Sequence, residues 1–144
     1  MKNETKIKIF LVDDDAVFLK LLEIDFLEYD YFTIETFATG EQCIENLSHN
    51  PDIIILDFHL DGTVENAMSG LNTLDNIKGF NADIPVIMLS SQDKIEVAIS
   101  CMHHGAFEYI VKNEITSIRI EKTISAIFQF KELEQKLNCY KKRM

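Results

Sequence analysis

Five short runs rich in β-branched and large apolar residues are separated by stretches of helical period, and this alternation leaves the chain very few folds. The runs are Lys6–Val12, Phe32–Phe37, Asp52–Leu56, Ile84–Leu89 and Phe107–Val111. After the first, Asp15 is placed to cap a helix whose apolar positions Phe18, Leu21, Leu22 and Phe26 recur at three and four. Thr39-Gly40-Glu41-Gln42 is a capping-box pattern that opens a second helix through Cys43, Ile44 and Leu47. A third helix is predicted near Leu71–Ile77, a fourth near Ile95–Met102 and a fifth from Thr116. Strands alternating with helices pair in parallel through right-handed crossovers, so both faces of the sheet are covered. The third and fourth runs, almost purely apolar, suit its doubly covered centre. The expected fold is α/β: a doubly wound five-stranded parallel sheet of order 2-1-3-4-5, flanked by five helices. Its ligand crevice lies at the carboxyl ends of strands one and three.

The 144 residues suit one such domain and carry no linker-like segment, with only two prolines and five glycines. The net charge of −10 argues against nucleic acid as a partner, since a polyanion needs a clustered basic face. Cys43, Cys101 and Cys139 lack paired spacing and read as small buried thiols; His103-His104 read as a helix-end pair. With no signal peptide and no long apolar run, a cytoplasmic protein with no membrane association is expected.

The residues just past the strands carry the chemistry. Asp13-Asp14-Asp15 follow the first, Asp57 the third, Ser90-Ser91 the fourth and Lys112 the fifth. In the expected order these four strands form one continuous lip. Carboxylates gathered there repel by about 4 kcal/mol per pair at ~4 Å and an effective dielectric of about 20, so they hold protons or recruit a cation. Hard oxygen ligands on an open lip favour Mg2+, which also takes phosphate oxygens. A lysine and a hydroxyl facing the same spot suit the remaining oxygens of a phosphoryl group.

The acidic pair in "FLVDDD", the aspartate closing "PDIIILD", the hydroxyl in "IPVIMLSS" and the aromatic and lysine in "GAFEYIVK" together resemble the response-regulator receiver domains of two-component signalling. The resemblance spans roughly Lys6 to Ile127. It implies that Asp57 accepts a phosphoryl group from a phosphohistidine of a sensor histidine kinase or phosphotransfer protein, without turnover of a separate substrate. It implies Mg2+ held by Asp14, Asp57 and the backbone carbonyl of His59, with Asp13 acting through water. By the same likeness Ser90 and Lys112 hold phosphoryl oxygens, and Tyr109 is an aromatic switch that turns inward as Ser90 moves. Asp15 is better read as a helix cap, and Ser91 as the small residue that leaves room for the phosphoryl group. The resemblance also implies that His59 and Gln92 occupy the flanking positions that, in the family, influence hydrolysis of the aspartyl phosphate.

Two departures from the family pattern stand out. Leu60-Asp61-Gly62-Thr63-Val64 resembles the heart of a haloacid-dehalogenase-type phosphatase motif. That motif needs a nucleophilic aspartate where this chain has His59, and it should close the first strand rather than follow the third. Within the receiver reading, Asp61 stands where a proline is common and Gly70 arrives several residues late; a lengthened surface loop costs little. Asp61 and Glu65 are therefore candidate modulators of partner choice, metal affinity or phosphate lifetime. The second departure is Asn113, where most receivers have a cis proline after the lysine. A cis bond to asparagine costs ~3 kcal/mol, so trans geometry or a strained exception is expected. Should these departures silence phosphorylation, the alternative is a receiver-like protein interaction module.

Beyond Ile127 the helical period continues through Phe130, Leu133, Leu137 and Tyr140. A helix from Ser117 to Lys142 would be ~39 Å long, against ~20 Å for a strand of five or six residues. The division expected is a receiver domain over 1–128 and a helical extension or linker over 129–144. The sequence leaves open a homodimer through the face of the fourth helix, fifth strand and fifth helix, or through the C-terminal helix.

Overall fold

The computed structural model describes residues 6–60 and 66–143. Five strands form one parallel sheet in the order β2-β1-β3-β4-β5, as the alternation predicts. They are β1 (Ile7–Val12), β2 (Phe32–Phe37), β3 (Ile53–Asp57), β4 (Val86–Ser90) and β5 (Glu108–Val111). The helices are α1 (Ala16–Leu27), α2 (Gly40–Glu45), α3 (Gly70–Phe80), α4 (Ile95–His103) and α5 (Thr116–Arg143).

The two-residue period of the strands divides the core in two. Phe10, Val12, Ile54, Leu56, Val86 and Met88 point to one face and pack with Cys43 of α2, Leu74 and Ile77 of α3 and Cys101 of α4. Ile9, Leu11, Ile53, Ile55, Ile87, Leu89 and Ile110 point to the other, against Leu22 and Phe26 of α1 and Ile120, Ile124 and Ile127 of α5. Every residue of β3 and β4 is buried, which accounts for their unbroken apolar run.

Local signals set the helix starts. The Asp15 carboxylate accepts from the backbone N–H groups of Val17 and Phe18, and Thr39 Oγ1 accepts from Gln42 N. The Gln42 side chain returns not to Thr39 N but to Ala38 N, at 3.1 Å, a capping box displaced by one residue. Ser69 caps α3 through Asn72 N.

Several expectations need correction. Leu21 is 58% exposed: α1 rests on the sheet through Leu22 and Phe26, and Phe18 and Leu19 flank them. The second helix does not run through Leu47; it ends at Glu45 and tightens into a 3-10 turn over Leu47–His49, closed by Asn50 in the left-handed conformation. Cys43 and Cys101 are buried as expected, but Cys139 is exposed because α5 has by then left the body. His103 ends α4, and His104 Nδ1 lies 2.7 Å from Asp75 Oδ1. Among the described residues no peptide bond is cis, so Lys112–Asn113 is trans. None of their helices is long and apolar enough to cross a membrane.

Candidate functional site

Strand register builds the site. Val12 of β1 is paired with Leu56 of β3, so the next residues, Asp13 and Asp57, leave neighbouring strands side by side. Asp57 is in turn paired with Leu89, which puts Ser90 one step further along β4, and Ser90 is paired with Val111, the residue before Lys112. Four strands thus deliver two carboxylates, a hydroxyl and an ammonium to one edge.

Asp13 and Asp57 are both 3% exposed. Lys112 Nζ joins them, at 2.8 Å from Asp13 Oδ2 and 3.2 Å from Asp57 Oδ1. The same ammonium lies 4.4 Å from the centre of the Phe18 ring, so α1 holds the lysine from the side. Asp13 Oδ1 accepts from Asp15 N at 2.9 Å, which ties the acidic turn to the start of α1. Carboxylate oxygens of Asp13, Asp14 and Asp57 all fall within 4.8 Å of one another, close enough to share one cation. The donors are all hard oxygens, the kind Mg2+ takes.

Burial pushes the Asp57 carboxyl up to about 6, and the negative charge of Asp13 adds to it; Lys112 and the His59 backbone N–H pull the other way. Asp13 is also raised by burial, in part offset by its hydrogen bonds to Lys112 and Asp15. For Lys112, burial works against the ammonium, yet the hydrogen bond to Asp13 and the charge of Asp57 outweigh it and the group is raised. The lysine therefore stays charged, and two acids compete for its compensation.

Ser90 is fully buried, and its Oγ accepts from Gln92 N at 3.0 Å. The half-buried Tyr109 donates from Oη to the Gln92 carbonyl at 2.6 Å. Ser91 is exposed. His59 is partly buried, its ring packs edge-on against Phe58, and its Nε2 has no hydrogen-bond partner among the described residues. Asp61 and Glu65, and the whole stretch Asp61-Gly62-Thr63-Val64, lie outside the described residues.

Some site features are not evident from the sequence. Gly70 N donates to the Phe58 carbonyl at 3.1 Å, and a Cβ at Gly70 would run into the carbonyl oxygens of Asp57 and Phe58. The late glycine therefore packs directly behind the Asp57 backbone. The sequence marks Gly70 as a late glycine just before a helical run, but not its approach to Asp57. Glu41 of α2 reaches across to accept from Met68 N at 2.8 Å, a contact with no sequence signal at all. Asn113 N donates to Thr116 Oγ1 at 2.7 Å, and Asn113 Oδ1 accepts from Ile115 N at 2.9 Å. The first of these bonds is unavailable to proline, which has no N–H.

Comparison with known proteins agrees with this geometry. The model of the response regulator receiver domain matches residues 9–125. A protein-glutamate methylesterase/protein-glutamine glutaminase of Clostridium acetobutylicum is 34% identical over 114 residues, covering 76% of this chain and 31% of that protein. The DNA-binding transcriptional regulator NtrC of Escherichia coli is 30% identical over 131 residues, covering 90% of this chain and 27% of its own length. The chain thus spans less than a third of these curated relatives. Among solved structures, a chain of the CheX–CheY–BeF3–Mg2+ complex from Borrelia burgdorferi superposes with a TM-score of 0.74 at 29% identity, over 86% of this chain and 90% of its own. The receiver domain of a LuxO repressor from Vibrio parahaemolyticus shares the fold, with a TM-score of 0.77 at 22% identity over 92% of this chain and 97% of its own. With its strand order, its acidic edge and this match over most of its length, the chain belongs to the response regulator receiver domain family.

Proposed function

We propose that this receiver domain is a phosphorylation-dependent switch in which Asp57 accepts a phosphoryl group from a phosphohistidine of a sensor histidine kinase or phosphotransfer protein. The observation that carries the reading is the convergence of Asp13, Asp14 and Asp57 on one point, with a single lysine bonded to two of them. In the transfer, an Asp57 carboxylate oxygen bonds to phosphorus as the phosphorus–nitrogen bond breaks, and the departing imidazole takes up a proton. With its carboxyl raised only to about 6, Asp57 is mostly ionised at neutral pH, as attack requires.

The acidic cluster fits Mg2+, and BeF3 and Mg2+ are both named in the related CheX–CheY complex. Asp14, Asp57 and the His59 carbonyl would hold the ion, with Asp13 acting through water. Bound there, it supplies positive charge against the carboxylates and the incoming phosphoryl oxygens. Lys112, bonded to Asp13 and Asp57, would supply a second positive charge, and Ser90 a hydroxyl. No separate substrate is turned over; hydrolysis of the aspartyl phosphate resets the switch.

Two further features support the reading. Val17, Leu21 and Ile24 on α1 are exposed at i, i+4 and i+7, and this apolar stripe starts just past the acidic turn, where a phosphohistidine-bearing helix would have to approach. Ser90 and Tyr109 both grip the backbone of Gln92, so drawing Ser90 toward a phosphoryl group pulls on the loop that Tyr109 holds. That loop leads into α4, whose Ile95, Ile99 and Met102 are exposed, as is Ile118 of α5. This is the face on which the phosphorylated state is read.

The test is amide NMR with Mg2+ and beryllofluoride, a phosphoryl mimic. Saturable shifts are expected at 57, 90, 109 and 112 and along α4, and none in Asp57→Asn. Shifts absent from the wild type, or equal in Asp57→Asn, would overturn the proposal.

A further inference from the structure

α5 runs for 28 residues, about 42 Å, but its last buried residue is Ile127. The turns beyond carry Phe130, Leu133, Leu137 and Tyr140, which are 54%, 65%, 54% and 62% exposed. Their spacing of three, four and three is that of a coiled-coil seam. The seam is not a continuation of the core face. At 100° per residue it lies roughly a third of a turn away from the stripe Thr116, Ile120, Ile124 and Ile127 that rests on the sheet. The side of the extension that does follow the core face is polar. Lys131, Glu134, Gln135 and Asn138, together with Phe130, line a groove of about 740 Å³ between it and the body of the domain. The chain's own body therefore does not cover Leu133, Leu137 and Tyr140, and it leaves Phe130 54% exposed.

We infer that this seam is a contact between two copies of the chain, with their α5 extensions running antiparallel. Charge decides both the occupant and the direction. Glu134 follows Leu133 and Lys141 follows Tyr140 on one flank of the seam, while Lys136 precedes Leu137 on the other. In a parallel, in-register pair each Lys136 meets Lys141 of the second copy, a like-charge contact made twice. In an antiparallel pair residues of the same flank meet. Glu134 then lies alongside Lys141 of the second copy, twice, and on the other flank each Lys136 lies alongside the neutral Gln129 of the second copy. With Leu133 and Leu137 at the centre, Phe130 of one copy faces Tyr140 of the second, and the two receiver bodies sit at opposite ends. The C-terminal residues Lys141, Lys142 and Arg143 also complement the acidic body of the second copy, since the whole chain carries −10.

A seam of about two heptads is short, so the dimer is expected to dissociate on dilution. Sedimentation velocity over a wide concentration range tests it. The wild type is expected to pass from monomer to dimer, and Leu133→Asp, at a position that is exposed in the monomer, is expected to remain monomeric with unchanged circular dichroism. Lys141→Glu separates the two directions. The antiparallel pair predicts dimerisation weakened by about three- to tenfold, as two exposed ion pairs become repulsive, with recovery in Glu134→Lys/Lys141→Glu. The parallel pair predicts tighter dimerisation from Lys141→Glu alone. A wild type that stays monomeric throughout, Leu133→Asp that dimerises normally, or Lys141→Glu that dimerises more tightly each overturns the proposal.

Discussion

The hydroxyl of Tyr109 donates to the backbone carbonyl of Gln92 at 2.6 Å, bridging β5 to the loop that leads into α4. Tyr109→Phe keeps the ring and its packing but removes this bond, at a cost of about 1 kcal/mol. Hydrogen exchange is expected to accelerate at residues 91–94. Phosphoryl uptake at Asp57 should be unchanged, because the bond that is removed runs to the Gln92 carbonyl and not to Asp57.

The position of Asp57 gives a stability trend with pH. Its carboxyl is held at about 6 in the fold, against 3.8 as its ordinary value. The folded state therefore binds more protons than the unfolded one between these values, and stability falls as pH rises from about 4 to about 6. Above that window the penalty is complete, on the order of 1–3 kcal/mol. Chemical denaturation in a chelator is expected to show this slope in the wild type and a shallower one in Asp57→Asn, where the raised Asp13 still contributes; Asp57→Asn should be the more stable protein at pH 7. Added Mg2+ should raise the wild-type midpoint and leave Asp57→Asn nearly unmoved.

Gly70 sits where a side chain would strike the backbone of Asp57 and Phe58. Gly70→Ala forces those atoms apart, and a loss of about 1–3 kcal/mol is expected in urea denaturation. Because the displaced carbonyl belongs to Asp57 itself, the rate of phosphoryl uptake should fall as well. Gly79, with open space around it, is the control: Gly79→Ala should leave uptake unchanged.

Placing a proline directly after Lys112 should harm this protein. Asn113→Pro removes the 2.7 Å bond from Asn113 N to Thr116 Oγ1 and the side-chain acceptor for Ile115 N, so both caps at the start of α5 are lost. A decrease of about 1–2 kcal/mol in unfolding free energy is expected. An unchanged midpoint would show that the turn does not depend on these bonds.

The strands and the site residues at their ends were legible in the sequence because both depend on local patterns. Short apolar, β-branched runs mark the strands to within two residues, and the doubly wound order places their carboxyl ends on one lip. What escaped depends on three-dimensional approach. Leu21 fits a helical stripe as well as Leu22 does, and only the docking angle of α1 decides which is buried. The Phe18 ring beside Lys112 joins residues 94 positions apart, and no periodicity records such a pair. Gly70 could be seen to be late, but its close approach to Asp57 follows from how α3 packs against the end of β3.

The central claim is that Asp57 takes the phosphoryl group. Intact mass after incubation with Mg2+ and acetyl phosphate tests it most directly, on the wild type, Asp57→Asn and Asp61→Asn. One added phosphate in the wild type and in Asp61→Asn, with none in Asp57→Asn, is the predicted result. An adduct that survives in Asp57→Asn, or none in a correctly folded wild type, would contradict it.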